Sequence, residues 1–206
     1  MDQLSGAEPY YDELRYNKNK GIRKAHNCYD YAFNHLDPEQ KNKSQPGLRY
    51  LENVMPTNDY NCPMMHDRLK LDHPEMYRVS KTQDCKPDYY KIALVIDPDK
   101  DYHFFRQDPD GYWSHKPGAD PVTRKDFSGN LIHDPHPNQI DLNNEISGLN
   151  YEMFCDYYCV NEDDGPQGHF YEASRGSRLR NGEAVPGWEF YEVEKNMLEV
   201  ANSILD

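Results

Sequence analysis

The chain has no apolar run approaching the roughly 18 residues a bilayer span needs, so no transmembrane segment is expected. Residues 1–10 lack the basic stretch and apolar run of a secretory leader. Positive charge is also short. The 23 Lys and Arg stand against 36 Asp and Glu, a net charge of -13, and no basic stripe offsets the balance. Nucleic acid and membrane are therefore not expected as partners. Aliphatic side chains are scarce too: Leu, Ile, Val and Phe number 36 of 206 residues, about 17%, under the roughly 20% at which a charged chain falls suspect for disorder.

What the chain does have argues for folding. Seventeen Tyr and two Trp can supply the apolar area a core needs. Fifteen Pro and 12 Gly point to a large share of loop. The expectation is one loop-rich α+β domain over residues 27–206, preceded by a polar N-terminal arm over 1–26. Five Cys, an odd number without a leader, read as reduced thiols, and the chain as intracellular (cytosol-like) or virion-associated. The sequon Asn42-Lys43-Ser44 carries little weight in such a compartment.

Asn27 is a good N-cap, and Tyr29, Ala32, Phe33 and Leu36 fall on one face of a helix that ends near Pro38. Prolines 46, 56, 63, 74 and 87 mark residues 40–90 as a Pro-rich loop insertion with room for one or two helical turns. Residues 91–96 form the clearest strand, 102–107 a second and 112–115 a third, with weaker strands at 130–133, 152–160 and 169–172. A final helix is expected from about Trp188 to Leu205, its stripe made by Val193, Met197, Val200 and Ile204.

Chemistry centres on Cys28. At the first helical position, unpaired backbone N–H groups favour a thiolate, the form a nucleophile needs. His103, on the strand after the most apolar one, is the candidate base. The Asp108-Pro109-Asp110-Gly111 turn, with Gly111 left-handed, pairs Phe105 with His115 and puts both histidines on one face. A plain two-residue turn would place them on opposite faces.

This order of Cys, His and a third polar residue resembles NlpC-type and CHAP-type papain-fold cysteine hydrolases. The step from His103 to His115 is similar to the NlpC spacing, and Gln45-Pro46-Gly47 resembles the element those families carry before their first sheet strand. The segments 27–32 and 113–118 look like parts of an uncharacterised branch found in bacteria and large viruses. Asn-Cys-Tyr replaces the usual Asp-Cys-Ser or Asp-Cys-Trp, and Leu48 stands where an acidic residue follows Pro-Gly.

The resemblance implies a papain-like fold, with an N-terminal helix bearing Cys28 packed on an antiparallel sheet. It implies an amide or peptide hydrolase in which His103 pairs with Cys28 and His115 orients His103, with Asp120 or Asp126 as substitutes. Tyr16 resembles a Tyr of some NlpC-type enzymes; it and Tyr29 are candidates for oxyanion or substrate binding. The substrate would be a peptide or amide, and neither cofactor nor metal is expected. The alternative is a non-catalytic structural or interaction protein that keeps this fold, a virion or assembly component with a protein partner.

Competing sites are weaker. Cys155 and Cys159 lie about 13 Å apart on a strand, too far for one zinc ion without a bend. Cys62-x3-His66 lacks a second pair. Asp97, Asp99 and Asp101 resemble a calcium loop but lack its glycine, so a solvated turn is expected. Ser114 is a weak second nucleophile.

Overall fold

A computed structural model describes residues 4–48, 60–161, 178–180 and 183–185. Its framework is a five-stranded sheet in the order β1-β7-β2-β3-β4, every neighbouring pair antiparallel. The strands are β1 (Tyr77–Val79), β2 (Tyr89–Asp97), β3 (Asp101–Gln107), β4 (Trp113–His115) and β7 (Met153–Asn161). The small β5 (Asn143–Asn144) and β6 (Leu149–Asn150) form a separate hairpin. Further on, β8 (Arg178–Arg180) and β9 (Glu183–Val185) pair with each other. The chain is thus α+β with an antiparallel sheet, as expected. The weaker strand at 169–172 and the helix from Trp188 lie outside the described residues.

The continuous apolar run makes β2 the central strand. It is flanked by β3 and β7 and covered on both faces, so polar alternation has no solvent to face. On one face Tyr90, Ile92, Leu94 and Ile96 pack with Phe104, Tyr158 and the helices. On the other, Ala93 and Val95 pack with Phe105, Trp113, Tyr157 and the chain around Ile132, Leu142 and Tyr151.

A bulge in β7 breaks this simple alternation. Leu94 pairs with Asp156 but Val95 with Phe154, which leaves Cys155 unpaired. One extra residue inverts the faces beyond it. Cys155 therefore packs with the helix-side cluster, whereas Cys159 lies in the opposite one.

The expected N-terminal arm instead holds two short helices, α1 (Glu13–Asn17) and α2 (Lys20–Ala25), capped by the side chains of Asp12 and Asn19. Each buries a single residue, Tyr16 or Ala25, so no apolar stripe betrays them. The helix after Asn27, α3, is brief (Cys28–Ala32). The expected loop insertion at 40–90 contains α4 (Cys62–Asp72), a three-turn helix, and β1. Pro63 sits in the first turn of α4, where a missing N–H costs nothing, and Pro74 lies just past its end. The expected strand at 130–133 reduces to one bridge, Lys125 to Leu131, with Ile132 O accepting from Trp113 N. Among the described residues, no helix is long and apolar enough to cross a membrane.

Candidate functional site

Asn27 accepts from the N–H groups of Tyr29 and Asp30, and Asp30 accepts from Asn27 N, a closed capping box. Cys28 is consequently the first helical residue. Its thiol faces the helix-side core, where Sγ lies 4.0 Å from Tyr102 O. Burial pushes the thiol up to about 12, with Asp101 and Asp30 adding to the rise and the Phe104 N–H opposing it. A helix of five residues has little dipole to set against that desolvation. The thiol is held protonated, the reverse of an activated nucleophile.

The β3–β4 hairpin takes the register expected from a left-handed Gly111 (φ 84°), with Asp108 N donating to Tyr112 O and Phe105 opposite His115. His103 Nε2 and His115 Nδ1 are 2.7 Å apart, and His115 Nε2 lies 2.9 Å from Lys125 O. A carbonyl only accepts, so His115 carries its proton on Nε2 and receives the His103 Nε2–H on Nδ1. One backbone carbonyl thus sets both tautomers.

Both rings are neutral. Burial brings His115 down to about 4, against the Lys125 hydrogen bond and Asp126; burial and then His115 hold His103 well below its ordinary value. His103 packs against Phe105 and Tyr151 on the loop side of the sheet, the face opposite the Cys28 cluster. No hydrogen bond joins Cys28 to His103 among the described residues.

The other candidates have separate tasks. Tyr16 donates to His35 O, and Tyr29 bridges Asp72 Oδ2 (2.6 Å) and His73 Nε2 (2.7 Å) inside the helix-side core. Asp120 is exposed; Asp126 accepts from the N–H groups of Asn130 and Asp141 and so orders the loop behind His115. Ser114 donates to Asp108, not to a histidine. An open groove lined by Asp12, Leu14, Arg15, Lys18, Asn19, Lys20 and Ile22 runs over α1 and α2, away from Cys28, His103 and His115.

Sequence reasoning missed the buried polar cluster beside this hairpin. Arg106 stacks over the Tyr31 ring and contacts Asp108 at 3.8 Å, while Arg124 Nε binds Asp108 at 2.9 Å. Lys116 donates from full burial to Arg23 O and Gly118 O. An Arg inside the apolar β3 run was the one available signal. The three Asp of the 97–101 turn are not a solvated set: Asp97 accepts from Asn150 N, and Asp101 from Tyr151 OH. No group of three metal-ligating side chains occurs among the described residues.

The expectation of reduced thiols is corrected. Cys62 is bonded to Cys155 and Cys85 to Cys159, leaving Cys28 as the free cysteine. Two structural disulfides do not suit a reducing cytosol. Cys62 is accordingly no zinc ligand, and His66 stacks on Tyr158.

The chain is 36% identical over 118 residues to Insoluble matrix shell protein 1 of Ruditapes philippinarum, a match covering 55% of this chain and 70% of that one. The chain belongs to that protein's family. No family profile and no solved structure matches it. This kinship overturns the expected cysteine hydrolase, and with it the amidase and thiol-protease readings, because the relative is a shell matrix protein. The physical reason lies in Cys28, buried and held protonated at the head of a helix too short to activate it.

Proposed function

We propose that the chain is a non-catalytic structural protein of an insoluble extracellular matrix. Membership of the shell-protein family carries this reading. The two disulfides support the extracellular part, since they persist where the surroundings are oxidising. The neutral thiol and neutral histidines support the absence of catalysis. In this reading the architecture is a papain-like frame kept as a scaffold. Its support is a capped helix that opens with Cys28, an antiparallel sheet, and a His103–His115 pair on the following hairpin.

Fractionation of the source tissue tests it. An antibody against the chain is expected to label the extracellular, detergent-insoluble fraction, and thiol titration of the unfolded protein to find one free cysteine of five. A chain recovered from soluble cytosol with five titratable thiols would overturn the proposal.

A further inference from the structure

The sequon Asn42-Lys43-Ser44 has little meaning inside a reducing cell, and that premise falls with the two disulfides. We propose that Asn42 is an N-glycosylation site, which rests on the extracellular part of the preceding reading. The sequon lies on an irregular surface segment between α3 and α4, with Asn42 and Lys43 both exposed. Among the described residues the Asn42 amide makes no hydrogen bond for a sugar there to displace.

The neighbouring asparagines are spent differently. Asn27 caps α3, Asn34 accepts from Arg15 and Arg106, and Asn61 caps α4. None of these three is followed two residues later by Ser or Thr. Ser44 anchors the far side of the segment, its carbonyl accepting from Asn27 Nδ2 at 2.7 Å. That bond ties the end of the sequon to the cap of α3 and leaves the Asn42 side free to carry bulk.

The modification forms a bond between Asn42 Nδ2 and the anomeric carbon of an oligosaccharide activated as a diphosphate ester. The bond from that carbon to the diphosphate oxygen breaks, the diphosphate leaves, and the amide gives up one proton. The Ser44 hydroxyl is the second recognition element of the acceptor. A glycan at Asn42 would keep this flank of the molecule hydrated and confine close matrix contacts to other surfaces.

The test is secretion of the full chain from eukaryotic cells behind a supplied leader, followed by intact mass measurement before and after an amidase that releases N-linked glycans. The expected result is one glycan per chain, removed with conversion of Asn42 to Asp. Asn42→Gln and Ser44→Ala should abolish it, and Ser44→Thr should retain it. A secreted, disulfide-bonded chain with unmodified Asn42 would overturn the site while leaving the matrix reading intact. Conversely, a glycosylated chain absent from the insoluble fraction of its tissue would uphold the site and overturn the matrix reading.

Discussion

The two faces of the central sheet are covered by different means. The helix side is closed by α3, its C-cap Phe33 and α4, where Tyr29, Phe33, Met65 and Leu69 meet the even-numbered residues of β2 and β3. The loop side is closed by residues 116–151, a stretch with one two-residue hairpin for regular structure. An irregular cover pairs only part of its backbone with itself, and polar side chains take up other groups and pin it. His115 ties Lys125, Asp126 ties Asn130 and Asp141, and Tyr157 donates to Asp134. Both faces are apolar at their centres, but regular helices close one, and an irregular cover pinned by side-chain hydrogen bonds closes the other. The bulge at Cys155 then gives each face one disulfide, which a regular strand with cysteines four apart would not do.

Breaking the disulfides should show the largest effect. The bridges span 74 and 93 residues, for which loop-closure entropy gives about 4–5 kcal/mol each. The two spans differ too little to separate the bridges by entropy. Packing separates them at one cysteine: Cys159 is fully buried, whereas its partner Cys85, like Cys62 and Cys155, is partly exposed. Replacing Cys85 and Cys159 by Ala is therefore expected to cost more in urea unfolding than replacing Cys62 and Cys155. Equal losses would mean that the loop-side cover does not depend on its staple.

The histidine pair should come next. Folded His115 titrates near 4 against an ordinary 6.5, so the unfolded chain takes up the proton first as pH falls. Stability is whole above 6.5 and is lost between 6.5 and 4, by about 3 kcal/mol for this ring. Asp108 acts oppositely. Its carboxyl is raised to about 6 from 3.8 by burial, so the folded state takes the proton first and stability is gained as pH falls through 6. The informative measurement is hence the difference between wild type and His115→Gln across pH 4–7. The variant should be less stable at pH 7 and should lose less on acidification. Parallel curves would remove His115 as a post of the loop side.

Much of this was legible in the sequence, for identifiable reasons. The apolar run of β2, the Gly111 turn and the Asn27 cap are local features, and each fixes local geometry that the structure keeps. From them the partnership of His103 with His115 follows by register alone. The disulfides were not legible, because they depend on the bulge that turns Cys155 to the other face and on where α4 docks. The use made of tyrosine was legible in kind, since the composition offered aromatic rings as the source of core area. Tyr16, Tyr29, Tyr31, Tyr90 and Tyr158 are fully buried and do the packing that scarce aliphatics cannot, but which of the 17 would turn inward depends on the tertiary fold.

A smaller effect is expected at the head of α3. Asn27→Ala removes the acceptor of two N–H groups and the donor to Ser44 O, at a cost of about 1–2 kcal/mol in thermal or urea unfolding. Asn27→Asp keeps the cap and loses only the bond to Ser44, so it should fall between Ala and wild type. If both variants matched wild type, α3 would be held by its apolar face alone, and the contrast between the two sides of the sheet would be sharper than the hydrogen bonds suggest.

The smallest effect on stability, and the most telling for function, belongs to Cys28. Removing one buried sulfur atom by Cys28→Ala leaves a small gap beside Tyr102 and Phe104, worth about 1 kcal/mol. With a thiol pushed up to about 12, roughly one molecule in ten thousand is a thiolate at pH 8. Iodoacetamide should therefore label Cys28 in the native protein far more slowly than in urea. A reactive nucleophile would behave in the opposite way on both counts, labelling quickly when folded and tolerating alanine without loss. Rapid native labelling together with an unchanged melting temperature would show that the helix-side core does not enclose Cys28, and the division of labour between the two faces would fail at its central residue.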